Sequence, residues 1–217
     1  MTTPLRSPLS LAAFDLSPDR GFLPATDPVD QLPEEPIVNQ IATELPKFLT
    51  ARHFRQFIQD RSDIMGPVAD DWGLDVFRSA MRTLSFAGHA YVWENPDDPA
   101  ARLPASIGLP WYRVAQQLGR PPVLSYASYA LHNWRRLYLQ KPIELGNIVL
   151  LQNFLGGLDE EWFVLIHIDI EAKAGPGLQG LVQAQNAAQE DEAEAVLAGL
   201  NALAAAQEAM RETLLRM

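Results

Sequence analysis

The residues of this sequence with the clearest capacity for chemistry are two tyrosines and a histidine among apolar side chains. Tyr126 and Tyr129 lie three residues apart in the segment GRPPVLSYASYALHNWRR. On a helix this spacing puts both rings on one side. There they either pack into a core, each hydroxyl with one partner, or form an aromatic wall against a flat ligand. The spacing alone leaves both interpretations open.

His167 lies inside the apolar run from Phe163 to Ile170. Helical spacing places Phe163, His167 and Glu171 on one side of the helix. One interpretation is a core histidine that Glu171 satisfies one turn later, and the spacing by itself favours this. In the other, His167 faces an apolar ligand pocket and hydrogen-bonds a substrate or bound oxygen.

The other histidines, His53, His89 and His132, show no metal-ligand spacing. We expect His53 and His89 to be helix-surface or packing residues, and His132, four residues before Arg136, to be exposed. Cysteine is absent, which excludes disulfides and thiolate metal sites. With neither cysteine nor histidines at ligand spacing, we expect no metal ligands in this chain. A Ser-His-Asp arrangement or a phosphate-binding glycine loop cannot be built convincingly from the sequence.

Composition excludes several classes of partner. The 217 residues carry a formal net charge of −10, so nucleic acid and anionic membranes would be repelled. No apolar stretch is long enough to span a membrane. The N-terminal apolar run is broken by Ser10 and ended by Asp15, which makes a poor signal peptide. We expect a cytoplasmic protein without nucleic-acid or membrane partners.

The elements that must position these residues are predicted to be helices, so the fold class is all-α. Residues 1–36 form a proline-rich arm, which Phe14, Phe22 and Leu23 anchor by packing. A helix over 37–61 is broken or kinked at Pro46. The next helix is capped by Asp70 or Asp71 and ends near Glu94. Its inward residues are Phe77, Met81, Leu84, Gly88 and Tyr91, and its outward residues are Arg78 and Arg82.

The second half of the chain continues this pattern. A short helix runs from Trp111 to a cap at Gly119, and another covers about 123–139. The segment IELGNIVLLQNF is a short strand or hairpin. Asp159 caps the following helix, and Gly175-Pro176-Gly177 stops it. The final alanine- and leucine-rich segment is a helix with an apolar stripe that it must bury: Leu197, Leu200, Leu203 and Ala204.

These motifs resemble the N-terminal half of the indoleamine 2,3-dioxygenases. The similarity lies in RPPVLSYASYALHNW, LPASIGLPWYRVAQQLG, FDLSPDRGFLPATDPVDQLP, AGHAYVWE and EEWFVLIHIDIEAKAG. It implies a haem enzyme that uses haem b and O₂ to open the indole ring of tryptophan or a related indole. It also implies three regions: the arm 1–36, a small helical domain 37–110, and the first part of the haem domain, 111–217.

The resemblance assigns roles to the site residues. Tyr126 matches a tyrosine of the distal haem pocket, and Ala130 lies beside the substrate. Tyr129 matches a position that touches the indole and is usually smaller, which implies a narrower pocket. Phe163 matches an aromatic residue that stacks on the substrate. His167 replaces a serine of the indoleamine enzymes, and the related tryptophan 2,3-dioxygenases carry a distal catalytic histidine there.

One departure concerns completeness. The family's proximal haem histidine and its carboxylate-binding arginine lie beyond Met217. None of the four histidines matches the proximal position. We therefore expect a second chain or C-terminal fragment to complete the haem domain. The alternative is a non-catalytic helical binding subunit, or truncated relative, that has lost haem.

Overall fold

Helices form most of the computed structural model, which describes residues 8–69 and 71–217. The helices of this part are α1 Pro36–Thr50, α2 Phe54–Gln59, α3 Leu74–Trp93, α4 Ala105–Gln117, α5 Leu158–Lys173, α6 Gly175–Gln189 and α7 Ala193–Leu214. A 3₁₀ turn covers Leu11–Phe14 and a π-helical turn covers Ala127–Leu131. Strands β1 Trp134–Arg136 and β2 Ile148–Leu150 pair antiparallel. The all-α class is confirmed, with one two-stranded sheet added.

The chain divides into two compact units. The core unit comprises Thr26–Leu137 and Ile148–Val164, and the tail unit comprises the described residues up to Ala25, Tyr138–Asn147 and Leu165–Met217. Helix α5 begins in the core unit and continues into the tail unit. The three-region division at residues 36 and 110 stays a prediction. Within residues 8–69 and 71–217, none of the helices combines the length and apolarity that a bilayer crossing requires.

Helix α3 is the centre of the core unit. Its inward residues Phe77, Met81, Leu84 and Tyr91 are buried, as predicted, and α1 and α4 pack against them. The Trp111 indole of α4 donates to the Ser85 hydroxyl at 3.1 Å, so this buried N–H is satisfied. The predicted helix end near Glu94 is also confirmed.

Arg82 on α3 is fully buried, so the prediction that it points outward is wrong. Its guanidinium donates to the backbone carbonyls of Val29, Asp30 and His132 at 3.2, 3.1 and 2.9 Å. The segment before α1 runs over this side of α3, and its buried carbonyls need donors. The long side chain of Arg82 supplies these donors. Apolar periodicity along α3 gives no sign of this role.

Other helix limits also differ from the sequence prediction. Helix α1 passes through Pro46, where the Thr50 hydroxyl donates to the Pro46 carbonyl at 2.7 Å, and ends four residues later. Gly73, and not Asp71, precedes α3, while Asp70 lies outside the described residues. Helix α4 begins at Ala105 instead of Trp111. Gly119 follows its end with a φ of +64°, as its predicted capping role requires.

The predicted helix over 123–139 is wrong except for the single π-helical turn Ala127–Leu131. The π-helical turn gives way to β1, which pairs with the correctly predicted strand β2. Asn133 explains the change, because its side chain donates to the Gln152 carbonyl at 2.8 Å and accepts from the Gln152 N–H at 2.9 Å. Helix α5 begins at Leu158, so Asp159 lies in its first turn and is not the cap.

The tail unit is held together by small residues between α6 and α7. Gly175-Pro176-Gly177 was predicted to stop a helix, but α6 begins at Gly175 with proline in its first turn. A Cβ on Gly180 would lie 2.6 Å from the Gly199 carbonyl oxygen, so the two backbones touch. The leucine stripe of α7 was expected to be buried; Leu197 is 60% exposed and Leu200 is 47% exposed.

The N-terminal arm contributes to both units through different residues. Leu11 and Leu23 are buried in the tail unit, and Leu32 is buried in the core unit. Phe14 and Phe22 are exposed, so the prediction that they anchor the arm is wrong. Asn186 of α6 holds the arm instead, because its amide exchanges two 2.9 Å hydrogen bonds with the Leu9 backbone.

Candidate functional site

Tyr126, Tyr129 and Ala130 meet at the π-helical turn of the core unit. Tyr126 immediately precedes the turn, which closes with a 2.8 Å hydrogen bond from the His132 N–H to the Ala127 carbonyl. The Tyr126 side chain is exposed, Tyr129 is half-buried and Ala130 is buried. The two tyrosines therefore share one turn but have different surroundings.

The Tyr129 ring belongs to an aromatic cluster. Its centroid lies 5.7 Å from that of Phe86 and 6.4 Å from that of Phe154, and the last two are 4.4 Å apart. Burial raises the pKa of the Tyr129 hydroxyl, and the Glu160 carboxylate raises it further. The influence of Glu160 shows that the first turns of α5 lie close to the π-helical turn.

Phe163 lies on α5 three residues after Glu160 and is 46% exposed. Glu160 is fixed, because its carboxylate accepts the N–H groups of Phe154, Leu155 and Gly156 at 2.7 to 3.0 Å. These bonds tie the start of α5 to the loop before it. Tyr126 and Phe163 are therefore two partly exposed aromatic residues of the core unit, on elements near the Tyr129 cluster.

His167 follows Phe163 by four residues on the same helix, beyond Val164, where the core unit ends. It is half-buried, and its neighbours Ile166 and Ile168 are fully buried. Helical spacing therefore places His167 one turn after Phe163, as Glu160 lies one turn before it.

A cavity of about 380 Å³ lies in the core unit beside the aromatic cluster. Its walls are mainly apolar and come from Leu49, His89, Ala90, Trp93, Glu94, Pro96, Leu124, Phe154 and Leu155. His89 Nε2 accepts the Leu124 N–H at 3.4 Å, and burial lowers the pKa of His89. Burial thus favours the neutral imidazole, and the role of His89 as a helix-surface or packing residue stays a prediction.

His132 is buried, so the prediction that it is exposed is wrong. Burial lowers its pKa to about 3, and the cations of Arg78, Arg120 and Arg82 contribute in the same direction. Asp75 opposes them. This group of charges was not predicted, although Arg78 and Arg82 lie one helical turn apart and Arg120 follows Gly119.

The low pKa of His132 leads us to expect that the protein loses stability in acid. Its folded pKa of about 3 lies below the ordinary 6.5, so between these values the unfolded chain binds the extra proton. Stability should therefore fall as pH drops through this window, by about 2 kcal/mol between pH 7 and pH 5. In His132→Gln this part of the loss should vanish, as urea unfolding at both pH values would reveal. Equal pH dependence in the two proteins would contradict the assignment.

A haem requires a flat apolar surface and one axial side chain from the protein. Tyr126 and Phe163 are aromatic side chains that are 45% and 46% exposed. Within the described residues, no three His, Asp or Glu side chains gather as a metal site, but haem iron needs just one axial side chain. His132 is unsuited to that role because arginines surround it, and His89 Nε2 already accepts a backbone N–H.

Comparison with known proteins gives a consistent result. The family model described as indoleamine 2,3-dioxygenase matches residues 10–217. The chain is 33% identical to indoleamine 2,3-dioxygenase 2 of Homo sapiens, covering 97% of this chain and 51% of that protein. It is 31% identical to an indoleamine 2,3-dioxygenase of Aspergillus candidus, covering 98% and 53%. It is also 28% identical to a myoglobin of Haliotis madaka, covering 96% and 53%. The chain spans about half the length of these curated relatives.

Proposed function

The chain belongs to the indoleamine 2,3-dioxygenase family, and on this premise we propose that it forms the substrate side of a haem-dependent dioxygenase. The observation that carries the proposal is the family match over residues 10–217, which includes every element around the π-helical turn. The substrate is tryptophan or a related indole. Both atoms of O₂ enter at the indole C2–C3 bond, which breaks to leave an N-formyl group and a ketone, as in N-formylkynurenine.

The chemistry divides between cofactor and protein. Haem b, when bound, supplies the activation of O₂, for which amino-acid side chains have no equivalent. A relative named myoglobin supports a haem-binding role. The side chains of this protein bind and orient the indole, exclude water and offer a hydrogen bond where charge develops.

Phe163 and Tyr126 are the proposed walls for the indole. Both rings are about half exposed, so a planar ligand can stack on them without displacing core side chains. Ala130 contributes a small surface on the same turn as Tyr126. The Phe86–Phe154–Tyr129 cluster behind this turn is packed, so it fixes the position of the wall.

His167 is the proposed polar group, hydrogen-bonding either the indole or oxygen from one turn beyond Phe163. Replacing it with alanine should leave haem content intact and slow turnover roughly 2- to 12-fold, which corresponds to about 0.5–1.5 kcal/mol for one hydrogen bond. Steady-state kinetics and the haem absorbance of each protein would measure this. His53→Ala, which alters an exposed histidine before α2, is the matched control. A His167→Ala protein that merely unfolds more easily, with its turnover retained, would make His167 a packing residue.

The proximal ligand is proposed to come from polypeptide outside these 217 residues, either a continuation or a second chain. An absorption scan of native purified material should show a Soret band. Intact-mass analysis should find a histidine-bearing segment beyond Met217, or a second chain that carries one. A stable, colourless monomer of this chain would instead favour the alternative function, a helical binding subunit without haem.

A further inference from the structure

Three nitrogen atoms near the π-helical turn are buried without a hydrogen-bond partner among the described residues: Arg82 Nε, Arg120 Nε and His132 Nδ1. Buried polar atoms are nearly always paired, since an unpaired donor forfeits the hydrogen bond that water gave it. Each residue has other polar atoms that are bonded. The unsatisfied atoms therefore call for a partner that protein groups do not provide.

These residues converge on one place in the core unit. Ser128 lies in the π-helical turn and His132 directly follows its last residue. Arg120 Nη2 reaches the buried Ser128 hydroxyl at a long 3.4 Å, and Arg82 Nη1 donates to the His132 carbonyl at 2.9 Å. The guanidinium groups of Arg78, Arg82 and Arg120 are all close enough to His132 to influence its titration.

The charge at this place is positive. Burial lowers the pKa of Arg120, and the neighbouring Arg78 cation lowers it further, so these two cations repel each other. Asp30 acts in the opposite direction on Arg82, whose pKa it raises against the effect of burial. Asp75 balances Arg78 at 3.2 Å, but it also accepts the Thr26 hydroxyl at 2.6 Å. A water molecule could satisfy the unpaired donors, but only an anion would also offset the repulsion among the cations.

We propose that Arg120, Ser128 and His132 bind a compact inorganic anion of chloride size. The Arg120 guanidinium supplies charge and an N–H, the Ser128 hydroxyl supplies a second donor, and His132 Nδ1–H supplies a third. Arg82 holds His132 in place through its carbonyl. The site does not depend on the proposed oxygen chemistry, and it would stabilise the turn that carries Tyr126 and Tyr129.

Chloride itself is the probe, used with the full chain. Chlorine-35 NMR should show protein-dependent line broadening, which Arg120→Gln should abolish. The unfolding temperature should rise and saturate as sodium chloride replaces sodium gluconate at constant ionic strength, because a ligand of the folded state stabilises it. This rise should be absent from Arg120→Gln. Arg135→Gln, which removes the same charge from an exposed residue of β1, should retain both responses.

Ser128→Ala provides a second test in case Arg120→Gln folds poorly, because this substitution removes just one small donor. The chlorine-35 line broadening measured with Ser128→Ala should be clearly weaker than with the wild type. The proposal is overturned if the wild-type chain shows neither broadening nor a chloride-specific rise, which would leave water as the partner. It is equally overturned if the responses of Arg120→Gln or Ser128→Ala match those of Arg135→Gln.

Discussion

Replacing Tyr129 with alanine should lower the free energy of unfolding by about 3–5 kcal/mol, the usual cost of removing a large aromatic ring from a packed position. The ring lies against Phe86 and Phe154, and both would lose contact area. Urea unfolding monitored by circular dichroism would measure the change. Tyr112→Ala is the matched control, because Tyr112 is 52% exposed on α4 and its loss should cost little. Similar losses in both variants would contradict the packing role of Tyr129.

The same position should also influence which indoles are accepted. We propose that Tyr129 occupies space that other family members leave to the indole, so Tyr129→Cys and Tyr129→Ala should widen tolerance towards bulky substrates. A panel of ring-substituted tryptophans and simple indoles, assayed on wild type and both variants, would measure selectivity. An unchanged profile with stability alone reduced would show that the ring packs in the core without shaping the pocket.

Replacing Arg82 with methionine should destabilise the protein by roughly 3 kcal/mol, although it introduces an apolar side chain at a fully buried position. The substitution leaves the carbonyls of Asp30 and His132 without this donor, while the Val29 carbonyl keeps the Ser79 hydroxyl at 3.0 Å. Part of the loss is offset, because burial of the charge is itself unfavourable and lowers the pKa of Arg82 to about 10.

Arg113→Met is the control for Arg82, since Arg113 is exposed on α4 and methionine is a good helix former. Denaturant unfolding should give Arg82→Met a lower free energy of unfolding than Arg113→Met, by most of the predicted loss of roughly 3 kcal/mol. An Arg82→Met protein as stable as the Arg113→Met protein would mean that the carbonyls find other donors and that the buried cation is dispensable.

Local pattern predicted the parts of the fold that depend on a single helix. The apolar spacing of α3 and the glycine after α4 were read correctly because each reflects one helix and its end. The segment 123–139 was predicted incorrectly, because a π-helical turn followed by β1 depends on hydrogen bonds between Asn133 and Gln152, nineteen residues away. Pairing at that distance leaves no periodic signal in either segment.

Charged and small residues account for the remaining differences. Arg82 was placed outward by its polarity, but buried carbonyls from another segment bind it. His132 was placed outward because it lies four residues before Arg136 on a predicted helix, and that helix gives way to β1. Helix α6 was missed because glycine normally argues against helix, whereas here Gly180 and Gly199 allow close approach of α6 and α7. For the candidate site, the resemblance identified the residues, and the structure gave their burial.

Mass spectrometry of the product formed under oxygen-18 gas is the most direct test of whether this protein is part of a dioxygenase that opens the indole ring. Native purified material, with any chain that accompanies it, would be incubated with tryptophan or a simple indole and a reductant. The proposed function predicts a ring-opened product that carries both labelled atoms, one on the formyl group and one on the ketone. Native material that contains haem yet forms no product, or a product with a single labelled atom, would contradict it.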